Sequence, residues 1–139
     1  MTSSRMRQKL SFCALGRSTL GGRHAYDASM SIESEDDLEG LRRAGRVVAL
    51  AIAEMRRRVQ PGISTKELDD VGWRVFRANG ARSAPQLAYG FPGVNCISLN
   101  DEAVHGVPSP KRFIARGDLV KIDVTAELDG YMADAAVTV

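Results

Sequence analysis

Leu119-Val120-Lys121-Ile122-Asp123-Val124-Thr125-Ala126-Glu127-Leu128-Asp129-Gly130-Tyr131-Met132-Ala133-Asp134-Ala135-Ala136-Val137-Thr138-Val139 is the stretch that decides the fold. Two β-prone runs flank Asp129-Gly130, and both turn residues tolerate the positive φ of a type I′ turn, so Leu119 to Leu128 is predicted to pair with Tyr131 to Val139. A two-residue turn sets the register: Leu128 faces Tyr131, Thr125 lies opposite Asp134, and Ala136 lies opposite Asp123. Asp123 and Asp134 are then diagonal neighbours on one face, with Cα atoms roughly 7–8 Å apart or somewhat less. Two carboxylates so placed can hold one or two cations between them. A three-residue turn or a bulge would put them on opposite faces. Alternation gives Val120, Ile122, Val124 and Ala126 one face and Lys121, Asp123, Thr125 and Glu127 the other. A polar face of this kind is often simply solvated, and the pattern by itself leaves that reading open beside the metal one.

Upstream, the period changes from two to 3.6. Ser34 and Asp37 have capping-box spacing, and Leu38, Leu41, Gly45, Val48, Ile52, Met55 and Val59 recur at steps of three and four, which predicts an amphipathic helix. Its other face carries Arg42, Arg43, Arg46, Arg56, Arg57 and Arg58, read as a solvated face with an RNA-binding strip as the alternative. Pro61-Gly62 ends that helix. Ser64 and Glu67 start a second one bearing Leu68, Val71, Val75 and Phe76, stopped by Asn79-Gly80. After Gly80 the sequence reads as short β-prone runs, Cys96 to Leu99 among them, broken by a Gly/Pro loop from Gly106 to Pro110. Two helices followed by strands give an α+β class.

A chain of 139 residues suits one domain. Residues 1–26 hold Arg5, Arg7, Lys9, Arg17 and Arg23 and no acid, so residues 1–30 are expected to be a disordered basic leader ahead of a domain at 31–139. An upstream extension of the reading frame, with Met30 as initiator, explains the leader better than a transit peptide, because Gly16, Gly21 and Gly22 interrupt any amphipathic helix. A net charge of +2 does not imply a nucleic-acid or membrane partner. Cys13 and Cys96 match no paired metal spacing, and no run approaches the ~20 apolar residues of a membrane span, so a reduced, cytoplasmic chain is expected.

His105, in Ala103-Val104-His105-Gly106-Val107-Pro108, lies where a loop can aim a side chain into a cleft. It is read either as a donor to a substrate carbonyl or leaving nitrogen or as a half-buried histidine bonded to backbone. Oxygen-rich ligands suit Mn²⁺, Fe²⁺ or Co²⁺, yet two aspartates are too few for a dinuclear centre, and no His follows Asp123.

The segments Tyr89-Gly90-Phe91-Pro92-Gly93, Cys96-Ile97-Ser98-Leu99-Asn100, Val104-His105-Gly106-Val107-Pro108, Lys121-Ile122-Asp123-Val124-Thr125 and Asp129-Gly130-Tyr131-Met132-Ala133-Asp134, in this order and near this spacing, resemble type I methionine aminopeptidases over about residues 31–139. The resemblance implies the N-terminal half of a pita-bread fold, with helices on a curved antiparallel sheet. It implies an enzyme that removes the initiator methionine of nascent proteins with two divalent ions (Co, Mn, Fe or Zn). Carried over by position, Asp123 is a bidentate ligand of one metal, Asp134 bridges both, and His105 contacts the scissile amide. Phe91, Cys96 and Pro85 line the methionine pocket, against ordinary packing as the plain alternative. Ala88 departs from the family's frequent aromatic residue. The family's other ligands, a His and two Glu, and a second substrate-contacting His fall beyond Val139. The expectation is therefore weak metal binding, no activity in this chain alone, and self-association through the surface left bare. A non-catalytic peptide- or ribosome-binding module and an X-Pro peptidase relative are the competing readings.

Overall fold

The computed structural model describes residues 32–139; the leader assigned to residues 1–30 lies outside them. Three helices and four strands follow in the order α1 (Glu35–Arg58), α2 (Thr65–Ala78), β1 (Arg82–Ser83), α3 (Ala84–Tyr89), β2 (Cys96–Leu99), β3 (Val120–Leu128) and β4 (Tyr131–Thr138). No described helix is long and apolar enough to cross a membrane.

Both long helices start where their caps predict. The Ser34 hydroxyl accepts from Asp37 N at 3.0 Å. At α2 the box is reciprocal: Glu67 N donates to Ser64 Oγ at 3.1 Å and Ser64 N to Glu67 Oε2 at 2.9 Å. Gly80 follows α2 with φ +69°. The arginine face of α1 is exposed, and Arg43, Arg46 and Arg57 pair with Asp129, Glu39 and Glu54, as a solvated face does.

The buried stripe of α1 differs from the predicted one. Gly40, Ala44, Val47, Val48, Ala51 and Met55 are buried, while Leu38, Leu41, Gly45, Ile52 and Val59 are half-buried. The helix turns its small residues inward because it lies close against the hairpin: a Cβ on Gly40 would fall 2.4 Å from Tyr131 Cε2. Tyr131 Oη donates to Asp37 Oδ1 at 3.1 Å, tying the same end of α1 to β4.

β3 is the centre of the sheet. β4 pairs along one edge, while β1 and β2 share the other, all antiparallel. The hairpin has the register set by a two-residue turn, Leu128 opposite Tyr131, Thr125 opposite Asp134 and Asp123 opposite Ala136, with Asp129 and Gly130 at φ 53° and 89°. Val120, Ile122, Val124 and Ala126 face the helices in one core with Val48, Met55, Leu68 and Phe76. Two elements depart from the expected strands after Gly80. Arg82–Ser83 is a two-residue strand, and Ala84–Tyr89 is a short helix. Ser83 caps that helix and Pro85 occupies its first turn, where a missing N–H costs nothing.

Candidate functional site

The face of β3 turned away from the core carries the site. Asp123 is half-buried and Asp134 exposed, and Thr125, directly across from Asp134, donates its hydroxyl to Asp134 Oδ1 at 2.8 Å. Burial first, then the charge of Asp134 and a side-chain hydrogen bond with it, raise the Asp123 carboxyl above its ordinary value. His105 and Lys121 pull the other way. A carboxyl raised by burial and by a neighbouring carboxylate marks a place where a further positive charge is favoured.

His105 reaches this face from a loop that is pinned on both sides. Ile97 N donates to Gly106 O at 2.8 Å and Gly106 N to Ser98 Oγ at 3.0 Å. The approach is so close that a Cβ on Gly106 would lie 2.1 Å from Ile97 O. The Lys121 ammonium donates to Ala103 O and holds the start of the loop. His105 itself sits at φ 58°, a region uncommon for a side-chain-bearing residue and one that cores and clefts tolerate where surrounding structure over-determines it. Its side chain is exposed.

Beside the acids, Cys96 on β2 is the cross-strand partner of Asp123. It is 4% exposed and free of any disulfide. Burial, then the charges of Asp123, Asp134 and Asp69, push its thiol up to about 11, so it is a neutral, soft wall and not a nucleophile at neutral pH. Phe91 packs edge-on against Tyr89, with centroids 6.3 Å apart and rings at 70°. Burial, then the charges of Cys96, Asp123 and Asp134, raise the Tyr89 hydroxyl, while the neighbouring Ala88 carries no ring. Pro85 is buried in the first turn of α3. The register thus brings Cys96, Asp123 and Asp134 near one another on the sheet, and His105 acts on Asp123 through its charge; Phe91 is tied to Tyr89, and Pro85 lies in α3.

Three residues were not singled out by the sequence. Thr125 orients Asp134, and the predicted register, which set the two opposite, was the signal for it. Asp69 and Glu127 are buried acids. Glu127 stands on the polar face of β3, yet it is 4% exposed, accepting from Arg82 Nε at 2.6 Å and from Gly130 N at 2.7 Å.

Residues 39–139 match the profile of metallopeptidase family M24. Methionine aminopeptidase 2 of Bacillus subtilis (strain 168) is 49% identical over 109 residues, which are 78% of this chain and 44% of that protein. The solved methionine aminopeptidase from Thermotoga maritima superposes with a TM-score of 0.75 at 31% identity, over 78% of this chain and 44% of that one. The one from Rickettsia prowazekii gives 0.73 at 33%, over 78% and 43%. The chain therefore spans less than half the length of these relatives. The α+β architecture is that of their pita-bread fold, and with two antiparallel strands presenting a carboxylate pair inside the matched segment, the chain belongs to metallopeptidase family M24.

Proposed function

We propose that these residues build one half of a methionyl aminopeptidase site, which removes the initiator methionine from new proteins in the cytoplasm. The observation that carries the reading is the hairpin register, which sets Asp123 and Asp134 on one face with Thr125 bonded to the second acid. The kinship with methionine aminopeptidases supports the choice of substrate.

The donors suit a divalent ion, since carboxylates favour Mn²⁺ and added imidazole extends the choice to Fe²⁺, Co²⁺ or Zn²⁺. Among the described residues no group of three or more His, Cys, Asp or Glu is placed to hold an ion. The pair therefore fits as a share of a larger donor set, and by itself is expected to bind weakly. Two divalent ions, when bound, supply Lewis-acid polarisation of a carbonyl and a more acidic water. The chain's own residues do the rest: Asp123 and Asp134 would hold the ions, and Thr125 fixes the rotamer of Asp134. His105 donates to the substrate's amide, and Phe91, Cys96 and Pro85 receive the thioether side chain in an apolar, polarizable wall.

The test is hydrolysis of a Met-Ala-Ser peptide with Mn²⁺ or Co²⁺. The 139-residue polypeptide alone should give no appreciable turnover. Fused to the part of the Bacillus subtilis relative outside the matched segment, it should release methionine, and Asp123→Ala or Asp134→Ala should lower turnover by a factor on the order of 10³ or more, as for members of a set that acts as a unit. A fusion indifferent to both substitutions would sink the reading.

A further inference from the structure

Asp69 lies on α2 with none of its surface exposed, where a carboxylate is strongly unfavourable unless every oxygen is partnered. Its partners are specific. It accepts from Asn95 N at 2.8 Å, Val94 N at 3.2 Å and Asn95 Nδ2 at 3.0 Å, and Lys66 Nζ stands at 3.3 Å. The Asn95 amide is boxed in this orientation, since a Cβ on Gly72 would lie 2.4 Å from its Nδ2. Val94 is gripped from its other end as well: Ser83 Oγ donates to Val94 O at 2.7 Å. The same hydroxyl accepts from Gln86 N at 3.4 Å and so caps α3, which carries Pro85.

One carboxylate and one hydroxyl thus join α2, the turn of residues 92–95 and α3. From that junction leave the three residues assigned to the methionine side chain: Phe91 just before the turn, Cys96 just after it, and Pro85 in the helix Ser83 caps. We propose that Asp69, acting through Val94 and Asn95 and seconded by Ser83, is the positioning residue of the side-chain pocket. It touches neither substrate nor metal; it sets where the pocket wall stands. The inference rests on the pocket reading of Pro85, Phe91 and Cys96 given above.

Asp69→Asn keeps the shape but turns an amide nitrogen toward N–H groups that cannot accept from it. In the 139-residue polypeptide carrying Cys13→Ser, Cys96 is the sole thiol. Asp69→Asn should raise the rate of Cys96 alkylation by iodoacetamide at least tenfold and abolish the amide shifts that L-methioninamide induces at Phe91 and Cys96. Hydrogen exchange at Ile122 and Val124 should stay within twofold of the parent. Ser83→Ala, which leaves the Asp69 charge beside Cys96 in place, should act in the same direction with smaller size, and a rate unchanged in Ser83→Ala would assign the Asp69→Asn effect to lost charge and overturn the positioning role. Ser64→Ala, which weakens the α2 cap without touching the turn, is the structural control and should leave alkylation unchanged. Alkylation of Asp69→Asn within twofold of the parent, or an equal rise in Ser64→Ala, would overturn the proposal. Should L-methioninamide shift neither Phe91 nor Cys96 in the parent, the pocket reading fails by itself, while alkylation of Asp69→Asn and the charge-neutral Ser83→Ala together still decides whether this junction sets the wall.

Discussion

Glu127 shows how a residue's place on a strand and its surroundings can part company. Its position on β3 is polar by alternation, but Arg82 and the Gly130 amide enclose it. The Arg82 hydrogen bond, with help from the Gly130 N–H, holds its carboxyl below the ordinary value against the opposing effect of burial. A folded-state value below the unfolded one means that the stabilisation is complete above about pH 4–5 and drains away as pH falls through the folded value. Glu127→Gln is expected to cost about 1 kcal/mol at pH 7, the exposed side of Arg82 screening the pair, and to flatten the loss of stability below pH 5. Urea melts at pH 7 and pH 4 check this, and an acid slope equal to the parent's would contradict it. At this scale the shared face of Asp123 and Asp134 was legible in the sequence, because a two-residue turn sets the register. Glu127 and Asp69 were not, since their partners Arg82 and Asn95 lie 45 and 26 residues away, and strand or helix period says nothing of such distant neighbours.

Among the elements, the hairpin was legible to the residue, while the inward face of α1 was not. A 3.6 period accommodates two adjacent stripes, and hydrophobicity alone selects the bulkier one. Close approach of the helix to β4 selects the smaller. Two glycines on α1 separate these influences. A Cβ at Gly40 collides with the Tyr131 ring, which its bond to Asp37 keeps in place, so Gly40→Ala should lose about 1–3 kcal/mol through overpacking. At Gly45 a Cβ meets nothing within 4 Å, so Gly45→Ala should gain up to about 1 kcal/mol from helix propensity. Chemical denaturation of both variants reads the opposite signs, and shifts of one sign would refute the placement of α1. α3 escaped the sequence reading because a six-residue helix is too short to show a period; the Ser83 and Pro85 pair was its only mark.

For the whole molecule, the outer edge of β4 has no strand beside it among the described residues, and Leu119, Met132 and Val139 are exposed by 59%, 38% and 37%. An open edge with apolar residues near it is a template for another strand. The 139-residue polypeptide should therefore self-associate as its concentration rises. Sedimentation velocity across a concentration series checks this, with a strict monomer throughout as the contrary outcome. The central claim, that the β3–β4 hairpin presents a carboxylate pair to a divalent ion, is tested most directly by adding Mn²⁺ in small steps to ¹⁵N-labelled protein and following paramagnetic broadening. Signals of Asp123 and Asp134 and of their cross-strand partners Ala136 and Thr125 should broaden first, and Asp134→Ala should abolish the effect. Broadening centred elsewhere in the chain, or undiminished in Asp134→Ala, would contradict the account.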